Sequence, residues 1–344
     1  MMDLSIETYY NKHSGVPIID VRSPGEYNKG HIPGAVNIPL FSNEERADVG
    51  TVYKQKGQEK AIELGYTYVK PKLQWFLDKS LRYAPSKKVV VYCWRGGMRS
   101  HAFAEHLENN GFIDVKVIHK GYKAYRNFVL AAFTWKVDLK VIGGYTGSGK
   151  THILHNLKEL GCQIIDLECL ACHKGSAFGS IGEKLQPTVE QFENNLFDQW
   201  RKFDFTKPVY IEDESHSIGA VKVPISLYNT IRTSMVYFLD VPKQIRAHAL
   251  VKDYAAIDDE QLKTGIRKIT KRLGGVTTNE AIEALNSKDY YKVAMLALNY
   301  YDKAYMRGVS NRQSDKIIYI ELHDTDWRNN ALFIKNEIES TVSY

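Results

Sequence analysis

Short apolar runs that end in polar turns recur along the first third of the chain and indicate buried strands. The runs occupy 17–21, 88–93 and 115–118, and the second of them is rich in β-branched residues. Segments near 61–83 and 98–110 have the spacing of helices instead. Because strands alternate with helices, the pattern predicts an α/β layer built on a parallel sheet.

A second series of apolar runs starts at residue 139, after a helix-like segment over 120–135 that closes the first series. These runs predict strands at 139–142, 163–167, 208–213, 234–240 and 316–321. A mostly helical insertion is expected over 243–310. We therefore predict two α/β domains, residues 1–135 and residues 136–344.

The composition is that of an ordinary globular protein and agrees with two domains that each bury a core. Of the 344 residues, 44% are hydrophobic and 25% are charged. Lys and Arg number 46 against 40 Asp and Glu, a net charge of +6. This mild excess permits a nucleic-acid partner but does not require one.

Targeting signals and cysteine usage bear on the compartment. No apolar run approaches the roughly 18 residues that a membrane helix needs, and residues 1–14 lack the apolar core of a secretory signal. Four cysteines are too few for a disulfide scaffold of this length. We therefore expect a cytoplasmic protein with free thiols and no membrane partner.

A phosphate-binding loop is predicted at residues 144–151, which fit the pattern G-x-x-x-x-G-K-[ST] between an apolar strand and an amphipathic helix. The glycines let backbone N–H groups surround an anion at the helix N-terminus. Lys150 would neutralise phosphate oxygens, and Thr151 can hold Mg²⁺. The predicted phosphate-binding residues are Gly144, Gly147, Ser148, Gly149, Lys150 and Thr151.

The residues of this loop do not by themselves identify its ligand. The guanine-reading pattern N-K-x-D is absent from the sequence. A strand that ends in three acids, 209–214, offers Glu212 or Asp213 as a carboxylate for a metal ion. The loop therefore indicates a polyphosphate, with Mg²⁺ as a companion and without a tightly bound cofactor.

A second candidate site is the loop that follows the strand at 88–92. This strand delivers Cys93 to a glycine-containing loop that opens a helix, where N–H groups and the charges of Arg95 and Arg99 favour a thiolate or an anionic adduct on sulfur. We predict that Cys93, Arg95 and Arg99 are catalytic. The alternative is a buried structural cysteine at the end of a core strand.

The N-terminal part resembles a rhodanese domain over roughly residues 5–130. The resemblance rests on the stretches 19–22, 26–27 and 30–39, and on 93–100, which is similar to the active loop with Cys93 at the catalytic position. The resemblance implies a cysteine that carries sulfur or selenium. It also implies structural roles for Asp20 and His31.

A rhodanese domain followed by a P-loop NTPase-like α/β domain resembles the bacterial tRNA 2-selenouridine synthase family. The resemblance runs along the whole chain and is most specific at 45–55, 92–100, 175–179, 186–193 and 212–219. It implies that wobble 2-thiouridine in tRNA is converted to 2-selenouridine through an S-geranylated intermediate. Geranyl diphosphate and selenophosphate would be the substrates, and a selenophosphate-supplying enzyme would be a partner.

The residues are also compatible with two other functions. One is a rhodanese–ATPase that transfers sulfur to tRNA or to a small molecule. The other is a non-enzymatic regulator that senses phosphate. A regulator would not need Cys93 between two arginines, so the intact loop argues against it.

Two further patterns carry weaker signals. Residues 169–173 fit C-x-x-C-H, the pattern at which c-type haem is attached. Attachment of c-type haem needs export of the protein, which argues against this function. The same residues do not form a zinc site, because a well-spaced fourth ligand is lacking. Residues 262–273 predict one amphipathic helix with a basic side, which is either a solvated face or a contact for tRNA phosphates. The candidate tRNA-binding residues are Lys263, Arg267, Lys268, Lys271 and Arg272.

Overall fold

The computed structural model describes residues 2–176, 178–254, 258–309 and 312–341. The chain forms two compact units. The first unit contains residues 1–132 together with 193–198, and the second contains 133–192 and 199–344. Residues 193–198 are the middle of the helix Val189–Trp200, whose other residues belong to the second unit. This assignment was not foreseen from the sequence.

The first unit is an α/β layer around a five-stranded parallel sheet with the strand order β1-β5-β4-β2-β3. Its elements are β1 (Met2–Leu4), α1 (Ile6–Thr8), β2 (Ile18–Asp20), α2 (Pro24–Lys29), β3 (Val36–Asn37), α3 (Asn43–Val69), α4 (Leu73–Tyr83), β4 (Lys88–Tyr92), α5 (Met98–Asn109), β5 (Asp114–Ile118) and α6 (Gly121–Ala132). A π-helical turn (Tyr9–His13) and a 3-10 turn (Lys70–Lys72) complete it.

The centre of this sheet is the β-branched run that the sequence singled out. Val91 of β4 pairs with Ile19 of β2 on one side and with Val117 of β5 on the other, and all three are fully buried. Strands covered on both faces read as continuous apolar runs. The carboxyl end of β4 therefore lies at the middle of the sheet edge, where the Cys93 loop begins.

The helix expected near 61–83 is two helices, and the first begins much earlier. Ser42 caps α3 through a capping box with Glu45, and α3 bends at Gly57, which has φ +87°. A 3-10 turn that contains Pro71 separates α3 from α4.

The second unit also has a five-stranded parallel sheet, with the strand order β12-β11-β6-β8-β7. Its elements are β6 (Leu139–Gly144), α7 (Lys150–Glu159), β7 (Gln163–Ile165), α8 (Leu167–Ala171), α9 (Val189–Trp200), β8 (Val209–Glu212), β9 (Ser217–Ile218), β10 (Val221–Lys222), α10 (Ile225–Thr233), β11 (Val236–Asp240), α11 (Lys243–Tyr254), α12 (Asp259–Lys268), α13 (Thr270–Leu273), α14 (Gly275–Asn286), α15 (Tyr290–Val309), β12 (Ile317–Glu321) and α16 (Trp327–Thr341). A 3-10 turn (Ser314–Lys316) precedes β12.

The middle strand β6 leads directly into the phosphate loop. Val141 pairs with Val236 of β11 and with Ile211 of β8, so the loop leaves the sheet between two parallel neighbours. Ligands of open parallel sheets bind at this edge, outside the carboxyl ends of the strands. The β8 acids end at the same edge.

Helices α11 to α15 form the predicted helical insertion, but the single helix expected over 262–273 is wrong. The chain leaves helical geometry at Ile269, so α12 and the short α13 are separate. The apolar side persists, because Leu262, Ile266 and Ile269 are all buried. Burial of this side, rather than a continuous helix, explains the periodicity.

Among the described residues, no helix is both long and apolar enough to cross a membrane.

Candidate active sites

Cys93 lies between the end of β4 and the start of α5, as the sequence predicted. The side chain is buried, with 3% of its surface exposed, and its Sγ lies 3.2 Å from the Ser100 hydroxyl oxygen. Ser100 also donates to the Gly97 carbonyl oxygen over 3.0 Å. The hydroxyl therefore has one proton and two neighbours that can accept it, and it can turn toward sulfur when sulfur is negative.

The start of α6 fixes the backbone of the Cys93 loop. The N–H groups of Tyr122 and Lys123 donate to the carbonyl oxygens of Cys93 and Trp94, at 2.8 and 2.9 Å. A Cβ at Gly121, which has φ +57°, would lie 2.2 Å from the Cys93 carbonyl oxygen. This close approach requires glycine and holds the loop against α6.

The two predicted arginines of this loop have different surroundings. Arg99 is half-buried and donates to Glu26 over 3.1 Å, while Arg95 is exposed. Burial raises the pKa of Glu26, but Arg99 and the Ser23 N–H outweigh it, so the pKa lies below its ordinary value. Arg99 therefore ties the loop to the start of α2, and Arg95 extends toward solvent.

Asp20 and His31 have the structural surroundings that the resemblance implied. Asp20 is fully buried and holds Arg22 with two parallel contacts, the shorter being 2.6 Å. Arg22 also donates to the Gly30 carbonyl oxygen, and its guanidinium lies 3.8 Å from the centre of the Tyr122 ring. The His31 ring stacks on Tyr27 at 3.8 Å.

The phosphate loop of the second unit has the conformation that its glycines predicted. Gly144, Gly147 and Gly149 all have positive φ. A Cβ at Gly149 would lie 2.5 Å from the Trp327 ring, and one at Gly144 would lie 2.5 Å from the Ser148 hydroxyl oxygen. Side chains are thus excluded where the loop packs most tightly.

Lys150 folds back over the loop it belongs to. Its Nζ donates to the carbonyl oxygens of Gly144 and Tyr145, over 2.9 and 3.5 Å. The Ser148 hydroxyl is buried and has no hydrogen-bond partner in the described part of the chain. An ammonium held by loop carbonyls and an unpaired hydroxyl fit an anion that would bind to both.

The insertion supports this loop from behind. Arg246 of α11 is buried and donates to the Thr146 carbonyl oxygen and to Asp302 of α15, at 3.1 and 2.9 Å. The Tyr305 hydroxyl accepts from the Gly144 N–H and donates to Asp213, both over 3.0 Å. Helices α11 and α15 thus contact the loop at Thr146 and at Gly144.

Carboxylates gather beside Lys150 and Thr151. The Thr151 hydroxyl donates to Glu168 over 3.3 Å, and the Glu168 N–H donates to Glu212 over 2.8 Å. The second oxygen of Glu212 is buried and has no hydrogen-bond partner among the residues that the structure describes. Glu168 and Glu214 both lie within 3.0 Å of the point that a Cβ at Gly175 would occupy.

Burial of these acids favours their neutral forms. Burial first, and then neighbouring carboxylates, raise the pKa of Glu212 well above its usual range. Burial and the nearby Glu168 raise the pKa of Glu214 to about 8. Burial also raises the pKa of Glu168, although Lys150 opposes this effect. A cation in this site would relieve the repulsion.

Asp213 and Glu212 differ in their availability to a metal ion. Asp213 is held by Arg312 and by Tyr305, so its oxygens are already engaged. Glu212 faces Glu168, which contacts Thr151. The residues that fit Mg²⁺ are therefore Thr151, Glu168 and Glu212, through oxygen. No group of three or more His, Cys, Asp or Glu among the described residues has the arrangement of a metal site by itself.

The five basic residues predicted to contact tRNA are divided between α12 and α13. Lys263 is half-buried and pairs with Glu260, and Arg272 donates to the Tyr300 hydroxyl over 3.1 Å. Arg267, Lys268 and Lys271 are exposed.

Two family models match the chain. Residues 6–128 match the rhodanese-like domain, and residues 137–326 match the AAA domain of tRNA 2-selenouridine synthase. A tRNA 2-selenouridine synthase of Proteus mirabilis is 36% identical over 337 residues, which cover 88% of this chain and 91% of the relative. The chain belongs to the tRNA 2-selenouridine synthase family. The predicted resemblance and the predicted fold class are thereby confirmed.

Other relatives in the family match over a smaller part. tRNA 2-selenouridine synthases of Nitrosomonas europaea and Bdellovibrio bacteriovorus are both 40% identical, over 69% and 70% of this chain. The chain spans 63% and 64% of their lengths, less than two thirds of each. A solved N-terminal domain of a putative ATP/GTP binding protein from Clostridium difficile 630 is 41% identical, with a TM-score of 0.35, over 37% of this chain and 98% of the solved chain.

Sequence reasoning missed the residues that surround the two predicted loops. Glu168 contacts Thr151 and directly precedes the C-x-x-C-H pattern at 169–173. Cys169 is exposed and Cys172 is half-buried, at the end of α8. The only available signal was the position of Glu168 just after a predicted strand, where acids of a parallel sheet reach the ligand edge.

The raised pKa of Glu214 predicts pH-dependent stability. Between about pH 4.5, the ordinary value, and about pH 8, this carboxyl binds more protons in the folded state than in the unfolded state. The free energy of unfolding should therefore fall as pH rises through this window. E214Q, which stays neutral, should weaken that fall in urea unfolding curves taken across it. E283Q, at an exposed acid of α14, should behave like the wild type. Identical pH slopes for E214Q and the wild type would contradict the assignment.

Proposed function

We propose that this protein converts wobble 2-thiouridine in tRNA to 2-selenouridine in two steps, an S-geranylation and a selenation. The observation that carries the proposal is the presence, in one chain of this family, of a complete phosphate loop and a thiol on a rhodanese-type loop. The phosphate loop would bind geranyl diphosphate, and Cys93 would hold selenium. The substrates are therefore tRNA, geranyl diphosphate and selenophosphate.

The first step uses the charge of the phosphate loop. The sulfur of 2-thiouridine attacks C1 of the geranyl group, the C1–O bond breaks, and diphosphate leaves with the bonding electrons. Lys150, the loop N–H groups and the N-terminus of α7 stabilise the negative charge that develops on diphosphate. Mg²⁺ bound by Thr151, Glu168 and Glu212 would add positive charge to the leaving group.

The second step replaces sulfur by selenium. An S-alkyl group leaves from C2 as a thiolate more readily than an unmodified thiocarbonyl sulfur does. Selenophosphate held at the Cys93 loop attacks C2 through its selenium, the C2–S bond breaks and geranylthiolate departs. Water then cleaves the Se–P bond, so that phosphate is released and selenium stays on C2. The N-terminus of α5 and Arg95 favour negative charge at the sulfur of Cys93. Selenophosphate supplies the selenium, so an enzyme that makes selenophosphate is the expected partner, in the cytoplasm.

The test of this function is an assay with purified protein, 2-thiouridine tRNA and geranyl diphosphate, first without and then with ATP. Geranylated nucleosides in the sample without ATP support the proposal, because the diphosphate itself then provides the leaving group. Strict dependence of the first step on ATP would reject geranyl diphosphate as the ligand. That result would favour a rhodanese–ATPase that transfers sulfur to tRNA or to a small molecule.

Binding of tRNA is also proposed for the basic side of α12 and α13. The double variant K268E/R272E should weaken tRNA binding and lower its salt dependence, because two cations near phosphates are reversed. Fluorescence anisotropy at several salt concentrations measures both quantities. Unchanged affinity together with an unchanged salt slope would show that this basic side is only solvated.

A further inference from the structure

A groove of about 710 Å³ lies beside the Cys93 loop in the first unit, and of its lining residues the proposed steps use only Arg95. Part of its lining comes from Ser5 and the start of α1, and the rest comes mainly from the β5–α6 turn and the first turns of α6. Arg95 closes the groove on the side of the Cys93 loop. The side chains that matter below are Ile6, Arg95, Lys120, Lys123, Ala124 and Phe128.

The groove and the Cys93 loop share the same backbone connections. Lys123, which lines the groove, donates its N–H to the carbonyl oxygen of Trp94 over 2.9 Å. A Cβ at Gly96, which has φ +58°, would lie 2.5 Å from the Ile118 carbonyl oxygen and 2.8 Å from the Lys120 nitrogen. The turn that presents the lysines therefore also fixes the loop that carries the thiol, and a ligand in the groove is held at a defined place relative to Cys93.

The charge of the groove is positive. Arg95, Lys120 and Lys123 are exposed, and Glu7 is the one carboxylate among the described residues that line it. His119 also lines the groove, and its ring lies 3.3 Å from Asp3. Three exposed cations along one groove favour a ligand with several separated negative charges.

The floor of the groove is apolar. Ile6, Ala124 and Phe128 line it and are less exposed than the three cations. A small anion such as selenophosphate needs neither this length nor this floor. Single-stranded RNA has both matching parts, phosphates for a cationic rim and unstacked bases for an apolar or aromatic floor.

We infer that this groove binds the single-stranded RNA next to the nucleotide being modified, with phosphates on Arg95, Lys120 and Lys123. The inference rests on the proposed function, because it takes tRNA as the substrate. It assigns RNA recognition to the rhodanese unit itself, where the thiol that receives selenium is located. The groove thereby presents the wobble base to the Cys93 loop.

The double variant K120E/K123E of the full-length chain tests this inference. The probe is a fluorescein-labelled anticodon stem-loop RNA with 2-thiouridine at the wobble position, and anisotropy is measured over a series of salt concentrations. We expect the affinity for the RNA to fall roughly tenfold or more. The slope of log affinity against log salt concentration should drop in magnitude by about 1.4, which corresponds to the loss of two phosphate contacts in a single strand. K87E/K88E is the matched control, because these exposed lysines flank the opposite, amino-terminal end of β4.

The outcomes separate the inference from the function on which it rests. Wild-type protein that fails to bind the RNA overturns both. Binding by the wild type with equal affinity and salt slope in K120E/K123E overturns the groove alone, as does an equal loss in K87E/K88E. Near-native melting of K120E/K123E, together with retained binding of selenophosphate, excludes misfolding and supports RNA binding. Loss of selenophosphate binding with unchanged RNA binding would make the groove a small-anion site and overturn the inference.

Discussion

K150A is expected to lose S-geranylation of 2-thiouridine tRNA by about 100-fold or more, since the ammonium that stabilises the departing diphosphate is removed. In the structure its Nζ already lies over the loop, 2.9 Å from the Gly144 carbonyl oxygen. The variant should still selenate a tRNA supplied in geranylated form, because that step uses Cys93 of the other unit. Mass spectrometry of digested nucleosides measures both reactions.

K158A is the matched control for this variant, since Lys158 is exposed in the last turn of the same helix, α7. It should geranylate at the wild-type rate. Normal geranylation by K150A would show that the phosphate loop has no role in the first step. Equal loss of both reactions in K150A would instead indicate that the two steps are not separable in this way.

C93A should abolish incorporation of selenium and cause geranylated 2-thiouridine to accumulate. The physical reason is that alkylation at the phosphate loop does not need the thiol, whereas delivery of selenium does. The Sγ lies next to the Ser100 hydroxyl at 3.2 Å, in the loop that ends at the N-terminus of α5. The nucleosides of cells that contain C93A as their only copy provide the measurement.

C169A is the control for C93A, because Cys169 is also a free thiol but is exposed and belongs to α8. Its cells should contain normal 2-selenouridine. If C93A cells contained normal 2-selenouridine, the carrier role of Cys93 would be wrong. If C93A cells contained only unmodified 2-thiouridine, the order of the two proposed steps would be wrong.

Features that depend on local sequence were predicted well. The strand at 88–92 is apolar on both faces and β-branched, so burial on both sides of a parallel sheet could be expected. The phosphate loop needs glycine at fixed positions, which the sequence displays directly. Both loops therefore lie where they were expected, each after a central strand.

Features that depend on distant partners were not predicted. The Gly144 N–H bonds to Tyr305, which is 161 positions away, and Arg246 bonds to Asp302 across 56 positions. The first half of α3 was missed for a different reason. Few of its residues are apolar and it packs little, so it has no hydrophobic periodicity to detect. The break at Ile269 was missed because burial of the apolar side continues through it.

The support of the phosphate loop by α11 and α15 limits how this protein can be shortened. Arg246 is buried and donates to the Thr146 carbonyl oxygen and to Asp302. Removing the insertion would leave the loop carbonyl and the Gly144 N–H without these partners, and an unpaired buried polar group costs about 1–3 kcal/mol. The helices are therefore part of the loop's scaffold, and a minimal phosphate-binding fragment would have to retain the chain through α15.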